Sequence, residues 1–502
     1  MPTRRTVLAS LAASAAGAVL APRLRALDLP GGLTDAQIAR DPMRPRYHLL
    51  PARGWMNDPC GPIYWKGRYH MFFQYNPHAA IWGDMHWAHA CSPDMIRWQR
   101  LPIALAPTPG GPDADGCFTG TAVVAAGKPT FLYTGVRTVP AARATLRDGH
   151  NTFRESQCLA IAEDDALLHW QKLPQPVISA PPAGMEVTGF RDPSPWYDGQ
   201  DQCWYTVVGS GQPRKGGEVL LYKSTDNLRS WTYLHPLAQG RWNGRAGQDP
   251  VASGEMWECP DFHALGDKYL FIHSNEGKTL WQLGALDRAT MLFHAETQGV
   301  LDHGAYYAPK TQLDAQGNRI LWGWIQETRP QADYAAAGWS GMMSLPRKLS
   351  IATAGALIME PAEEVRSLRT APRAGAAVRQ LPTPAQELRF TLQPAPRWSP
   401  LDCSCVDNQG VALLLRNDPA LDPGKVRIQT EYQEVEIDGL ATGSLDLHIF
   451  LDHSVAEIFF NHRQAMTARY YKRDPMKPAV GIILGGAWTL GEQQAWSLKS
   501  IG

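Results

Sequence analysis

The sequence predicts an all-β chain, a five-bladed β-propeller followed by a C-terminal β-sandwich, and three observations lead there. First, 45 Gly, 40 Pro and 18 Trp crowd the 502 residues, a composition suited to many short strands joined by tight turns. Second, five apolar, strand-like segments recur: YHMFFQY (69–75), TFLYTG (130–135), WYTVVGS (204–210), YLFIHS (269–274) and ILWGWI (320–325). Their starts lie about 50 to 75 residues apart, close to the length of a four-stranded blade with its loops. Third, later segments such as VRIQTEYQEVEI (426–437) and LDLHIFLDHSVAEIFF (445–460) alternate apolar and polar residues, as half-buried antiparallel strands do.

Taken in chain order, residues 1–26 (MPTRRTVLASLAASAAGAVLAPRLRA) place Arg4 and Arg5 ahead of a mildly apolar, Ala-rich stretch with a cleavage site after Ala26. This resembles a twin-arginine export signal and predicts a periplasmic or secreted protein. The apolar stretch is too short and too weakly hydrophobic for a membrane anchor. Residues 40–350 are expected to form the propeller, 351–380 a linker, and 381–502 the sandwich. Within the linker, PAEEVRSLR (361–369) reads as a short helix, with Pro at its start and acids in its first turn. A weaker recurrence, SPDMIRW (92–98), EDDALLHW (163–170) and STDNLRSW (224–231), puts an acid-rich turn before a tryptophan once in each of three blades.

Lys plus Arg and Asp plus Glu both total 48, without a long single-sign run, so no nucleic-acid partner and no membrane partner is expected. An uncharged substrate fits this balance, and abundant tryptophan suits sugars, whose C–H faces settle on aromatic platforms. The eight cysteines form neither a disulfide framework nor a zinc pattern; free buried thiols are the expectation. No cofactor and no metal is expected, and no oligomeric state is specified.

A second pattern lies a short, near-constant distance upstream of each apolar segment: WMNDPCG (55–61), GCFTG (116–120), FRDPSPW (190–196), WECPDF (257–262) and YYAPK (306–310). A fixed offset within a repeat places equivalent positions around one axis. Asp58, Asp192 and Glu258 each stand directly or one residue before a Pro, so carboxylates from three blades are expected to converge at one end of the channel. A single Asp-Pro is ordinary turn chemistry; three at matching phase are not. Cleavage of an acetal or ketal linkage needs one carboxylate beside the anomeric carbon and a second carboxyl group to protonate the leaving oxygen, and clustering is what separates their proton affinities.

WMNDPCG, FRDPSPW and WECPDF, in that order, resemble the three signature motifs of glycoside hydrolase family 32, the family of invertases, levanases and inulinases. FFQYNP (72–77), WGDMHWAHACSPDMIRW (82–98), CFTGTAVV (117–124), YYAPK and GWSGMMSLPRKL (338–349) are similar to family segments, and LDHSVAEIFFN (451–461) resembles its sandwich signature. The resemblance implies a retaining glycoside hydrolase that releases terminal fructose from sucrose or fructans. Position by position, it makes Asp58 the nucleophile and Glu258 the general acid/base. Asp192 is to stay ionised and bind fructose hydroxyls, and Arg191 is to keep Asp192 and Glu258 poised. Asn57, Gln74, Trp82, Phe118, Thr119 and Trp324 are to line the fructose pocket, and Cys259 to tune Glu258. Cys60 departs from the commoner Asn, and His453 from the more usual Arg.

The acceptor stays open at this point: water gives hydrolysis, whereas a sugar gives fructosyl transfer with the same residues. A non-catalytic sugar-binding propeller is disfavoured because both Asp58 and Glu258 are present. An arabinan-type furanosidase on the same architecture is disfavoured by the combined Asn-Asp-Pro, Arg-Asp-Pro and Glu-Cys-Pro set.

Overall fold

A computed structural model describes residues 32–501 apart from 150–151, 245–253, 354, 375–384, 394–401, 408–409, 417–424, 430–433, 439–442, 472–480 and 486–488. The export segment 1–26 lies outside the described residues.

The recurring apolar segments are the second strands of hairpins, and the motifs upstream of them are the first strands. Gly54–Pro59 pairs with Arg68–Asn76, Gly116–Ala125 with Lys128–Thr138, Gly189–Asp198 with Cys203–Gln212, Glu258–Leu265 with Lys268–Asn275, and Tyr306–Leu313 with Arg319–Ile325, all antiparallel. The near-constant offset in the sequence is therefore the length of a hairpin. The weaker Asp…Trp recurrence also has a structural cause. Asp94, Asp164 and Asp226 accept backbone N–H bonds from residues just ahead of them in tight turns. Met95, Leu167 and Leu228 follow in left-handed backbone with their side chains buried.

The expectation of five separate blades is corrected by the pairing. Four sheets are discrete blades: those begun by Gly54–Pro59, Gly116–Ala125, Gly189–Asp198 and Tyr306–Leu313. The strands Glu258–Leu265, Lys268–Asn275, Lys278–Asp287 and Leu292–Asp302 are instead part of a ten-stranded sheet that continues into the sandwich. The junction is a parallel pairing of Asp302 with Ala465, between Leu292–Asp302 and Gln464–Arg469. Sequence recurrence counts hairpins; it carries no information about what covers the outer edge of each one. The propeller-side strands also run past the expected limit at 350, since Leu357–Pro361 completes the sheet begun by Tyr306–Leu313. The first blade is closed by Trp339–Ser340, which lies parallel to Gly54–Pro59. Beyond Pro361, Glu363–Leu368 forms a 3-10 helix that buries Val365 and Leu368.

All five first strands share one irregularity. Each carries a β-bulge near its pocket end, between Met56 and Pro59, Phe118 and Gly120, Arg191 and Ser194, Glu258 and Asp261, and Tyr307 and Lys310. A bulge puts two residues opposite one and re-aims a side chain. Asp192, Cys259 and Ala308 accordingly adopt left-handed backbone, with φ of 64°, 48° and 52°, a conformation that non-glycine residues adopt only when their surroundings enforce it.

The sandwich is clamped to the propeller by a fully buried ionic network. Arg347 donates to Asp302 (2.8 Å) and to Glu457 (2.6 Å), and His48 bridges Asp452 (2.8 Å) and Glu457 (3.0 Å). Backbone N–H groups of Arg46 and Tyr47 donate to Asp452, and that of Leu345 to Glu457. Asp452 and Glu457 belong to the LDHSVAEIFF segment, so the sandwich signature is the half of an interface whose other half is in the propeller. His453 sits at its rim, 3.0 Å from Asp452. Burial opposes protonation of His48, but its two carboxylate partners raise it to about 9.

Replacing Arg347 leaves Asp302 and Glu457 buried without their common counter-charge. Arg347→Met is expected to lower stability by about 3–5 kcal/mol, read as a lower denaturant midpoint in a urea titration followed by tryptophan fluorescence.

Candidate active site

The bulged ends of the first strands meet in one polar pocket. Asp58, on Gly54–Pro59, accepts a hydrogen bond from the Thr119 hydroxyl (2.5 Å) on its Oδ2 and one from the Asn57 amide (3.1 Å) on its Oδ1. The Cys259 thiol adds a third at 3.4 Å. Each donor is itself held: Trp55 Nε1 donates to the Asn57 carbonyl oxygen (2.9 Å), and Gln74 Nε2 donates to the Thr119 hydroxyl. Cys60 donates its thiol to the backbone carbonyl of Asp58 (3.4 Å), so the residue that departs from the common motif fastens the turn that carries Asp58.

Asp192 and Glu258 stand on the next strands around the ring. The Asp192 N–H donates to the Thr134 hydroxyl (2.9 Å), and its carboxylate accepts the Cys259 backbone N–H (2.9 Å) and the Cys259 thiol (3.5 Å). Glu258 is gripped on both oxygens. Arg191 Nη2 donates to Oε1 (2.9 Å) and the Tyr307 hydroxyl donates to Oε2 (2.6 Å). Behind the pocket Asp261 ties three strands together, accepting from Ser194, from the Thr311 N–H and hydroxyl, and from His263.

Aromatic rings form the walls. Trp82, 43% exposed, meets Phe118 edge to face at 5.9 Å, and Phe118 meets Phe153 at 6.1 Å. Across the pocket Trp324 packs against Cys259, Tyr307 and Ala308 and lies 5.6 Å from Trp55.

The electrostatics follow from many carboxylates and one guanidinium. Burial raises Asp58, and Glu258 adds to this, while the hydrogen bonds from Thr119, Asn57 and Cys259 favour its charged form. Burial pushes Asp192 up to about 7 against the opposing pull of Arg191, with Asp58 and Glu258 raising it further. Burial disfavours charge on Arg191, yet Glu155, Glu258 and Asp192 more than offset it, so the group stays a guanidinium. Burial and the neighbouring aspartates hold the Cys259 thiol well above its usual range; it is a donor, not a nucleophile.

The structure brings every sequence-selected residue into this pocket: Asn57, Asp58, Gln74, Trp82, Phe118, Thr119, Arg191, Asp192, Glu258, Cys259 and Trp324. The partners are more specific than the sequence indicates. The hydrogen bonds of Arg191 go to Glu155 and Glu258, while it acts on Asp192 through its charge. The hydrogen bonds of Cys259 go to the two aspartates. Two residues escaped the sequence reading. Tyr307 lies in YYAPK at the bulge position that Arg191 and Glu258 occupy in their strands, and would emerge from extending the comparison of those positions to hydroxyl donors. Glu155 carries no such signal, since it sits among Arg154, Ser156 and Gln157 in the polar first half of the strand Phe153–Ala162.

Comparison with known proteins gives the family. The model of the glycosyl hydrolases family 32 N-terminal domain matches residues 48–361, and that of the family's C-terminal region matches 420–496. The chain belongs to family 32. It is 36% identical to a raffinose invertase of Escherichia coli, over 90% of this chain and 95% of that one. It is 34% identical to a sucrose-6-phosphate hydrolase of the same organism, over 89% and 95%. Among solved structures it resembles a mutant of a Bombyx mori GH32 beta-fructofuranosidase in complex with sucrose, with a TM-score of 0.75, 28% identity and coverage of 93% and 96%.

This family 32 hydrolase thus holds Asp192 buried against its ionisation, which has a consequence for stability. Below the unfolded value of 3.8, Asp192 is protonated in both states and costs nothing. As pH rises toward about 7 the unfolded chain releases the proton and the folded one retains it, so folding loses stability across that window; above it the loss is constant. Asp192→Asn, which keeps an acceptor for the Cys259 N–H, is expected to raise Tm by a few degrees at about pH 8 and by much less at about pH 4. Thermal melts at both pH values check this.

Proposed function

We propose that this family 32 glycoside hydrolase releases terminal fructofuranosyl units from sucrose or from fructans such as levan and inulin, with water as acceptor. The observation that carries the reading is the unequal treatment of two carboxyls in one pocket. Asp58 receives three hydrogen bonds that favour its charged form, as a nucleophile needs. Glu258 instead has its plane fixed by one donor on each oxygen, as suits a group that must exchange a proton at a defined place.

In the first step an Asp58 oxygen bonds to the anomeric carbon, the bond to the leaving oxygen breaks, and Glu258 delivers its proton to that oxygen. In the second, Glu258 takes a proton from water as the water oxygen bonds to the same carbon and Asp58 leaves, so that configuration is retained. Asp192 faces the sugar hydroxyls, while Trp82, Phe118 and Trp324 exclude water from the ring. The sucrose-bound Bombyx mori relative and the raffinose invertase support a sucrose-type substrate.

Fructose release from sucrose, levan and inulin, assayed in parallel, tests this. Asp58→Ala and Glu258→Ala are each expected to lower sucrose turnover by about 10²-fold or more, with free fructose the main product of the unaltered chain. Release from none of the three substrates overturns the reading; transfer products predominating at high sucrose replace water by a sugar as acceptor.

We further propose export by the twin-arginine route, supported by Arg4 and Arg5 ahead of the Ala-rich stretch. Replacing both with Lys is expected to retain the protein in the cytoplasm, and N-terminal sequencing of exported protein should begin after Ala26. Unaltered protein that stays in the cytoplasm with residues 4–26 still in place overturns it.

A further inference from the structure

We infer that Glu155 is a positioning residue for the acid/base, acting through Arg191 to hold Glu258 where it can protonate the leaving oxygen; this rests on the fructosidase reading. Glu155 lies on Phe153–Ala162 in the second blade and is 0% exposed. It neither belongs to a signature segment nor touches the nucleophile. Its Oε2 accepts the Phe190 N–H (2.6 Å) and its Oε1 accepts Arg191 Nη1 (2.9 Å). The other terminal nitrogen of the same guanidinium, Nη2, donates to Glu258 Oε1. One planar fork is thereby stretched between a carboxylate locked in the second blade and the reacting carboxyl on the strand beginning at Glu258.

The arrangement does two things. Geometrically, a guanidinium anchored on one nitrogen presents the other at a fixed place. Tyr307 fixes the second oxygen of Glu258, so the two donors define the plane of the carboxyl. Electrostatically, Glu155 shares the positive charge that Glu258 would otherwise take alone. The charged groups facing Arg191 are Glu155, Asp192 and Glu258. Those interacting with Glu258 are Arg191 and Tyr307 by hydrogen bond, with Asp58, Asp192 and Glu276 nearby. Without the Glu155 charge, Arg191 is free to pair wholly with ionised Glu258, which depletes the proton needed for the first step.

A residue that only supported the fold would affect all substrates alike; one that serves proton delivery affects those with poor leaving groups. The test compares sucrose with an aryl β-fructofuranoside bearing a p-nitrophenyl leaving group, which departs without protonation, using kcat/KM because it reports the first chemical step. For Glu155→Gln the expected loss is about tenfold or more on sucrose and less than about threefold on the aryl substrate. The alkaline limb of the sucrose pH profile moves to lower pH. Glu155→Asp, which keeps the charge but retracts the carboxylate, serves where the Gln variant does not fold; it is expected to show the same substrate selectivity with the alkaline limb returned toward its original position. Equal losses on both substrates, an unmoved pH limb in Glu155→Gln, or full activity overturns the inference. An unaltered chain inactive on both substrates overturns the fructosidase reading instead.

Discussion

The bulge at the pocket end of each first strand is the constraint on which the site depends. A regular strand alternates its side chains between two faces, so neighbouring residues such as Asn57 and Asp58, or Glu258 and Cys259, would point apart. Two residues opposite one breaks that alternation. It lets Asn57 donate to Asp58, and it lets Cys259 turn both its N–H and its thiol toward the aspartates while Glu258 faces Arg191 and Tyr307. The left-handed backbone at Asp192, Cys259 and Ala308 is the local cost. Cross-strand ties such as Gln157 to the Phe190 carbonyl and Thr121 to the Pro193 carbonyl hold it in place.

Charge economy is the second theme. Asp192, Glu258 and Glu155 share the guanidinium of Arg191, and Lys310 is a second buried cation behind them, so carboxylates outnumber the positive charges. Burial, with repulsion between neighbouring carboxylates, raises Asp58, Asp192 and Glu155 above the usual carboxylate range. Thiols reinforce the arrangement as weak donors that carry no charge of their own: Cys60 on the Asp58 carbonyl, Cys259 on both aspartates. Cys60, Cys91, Cys117, Cys158, Cys203 and Cys259 are free and buried, in keeping with structural roles.

The sandwich is not an appendage. A ten-stranded sheet runs from the strands bearing Glu258 into the C-terminal sheet, and the Asp302–Arg347–Glu457–His48–Asp452 network joins the two sides in the dry interior. Leu345 lies just before the strand Arg347–Ile351 and Arg347 begins it, so the network anchors the last sheet of the propeller side. Buried charge of this kind fixes one docking geometry, because any slippage leaves a charge unpaired.

By itself the sequence determined the all-β class, the hairpin repeat, and the convergence of Asp58, Asp192 and Glu258, because each is written in local spacing: a period, an offset, an acid before a proline. Tertiary structure alone decided what depends on partners distant in the chain. The Asp302–Ala465 pairing, not the repeat, fuses one group of strands to the sandwich. Glu155, 36 residues before Arg191, gains its meaning only across the gap between two blades. Asp192 owes its proton affinity to burial and to neighbours on other strands. Spacing in a sequence encodes which residues share a phase; burial, charge sharing and edge pairing arise only when separate strands are brought together.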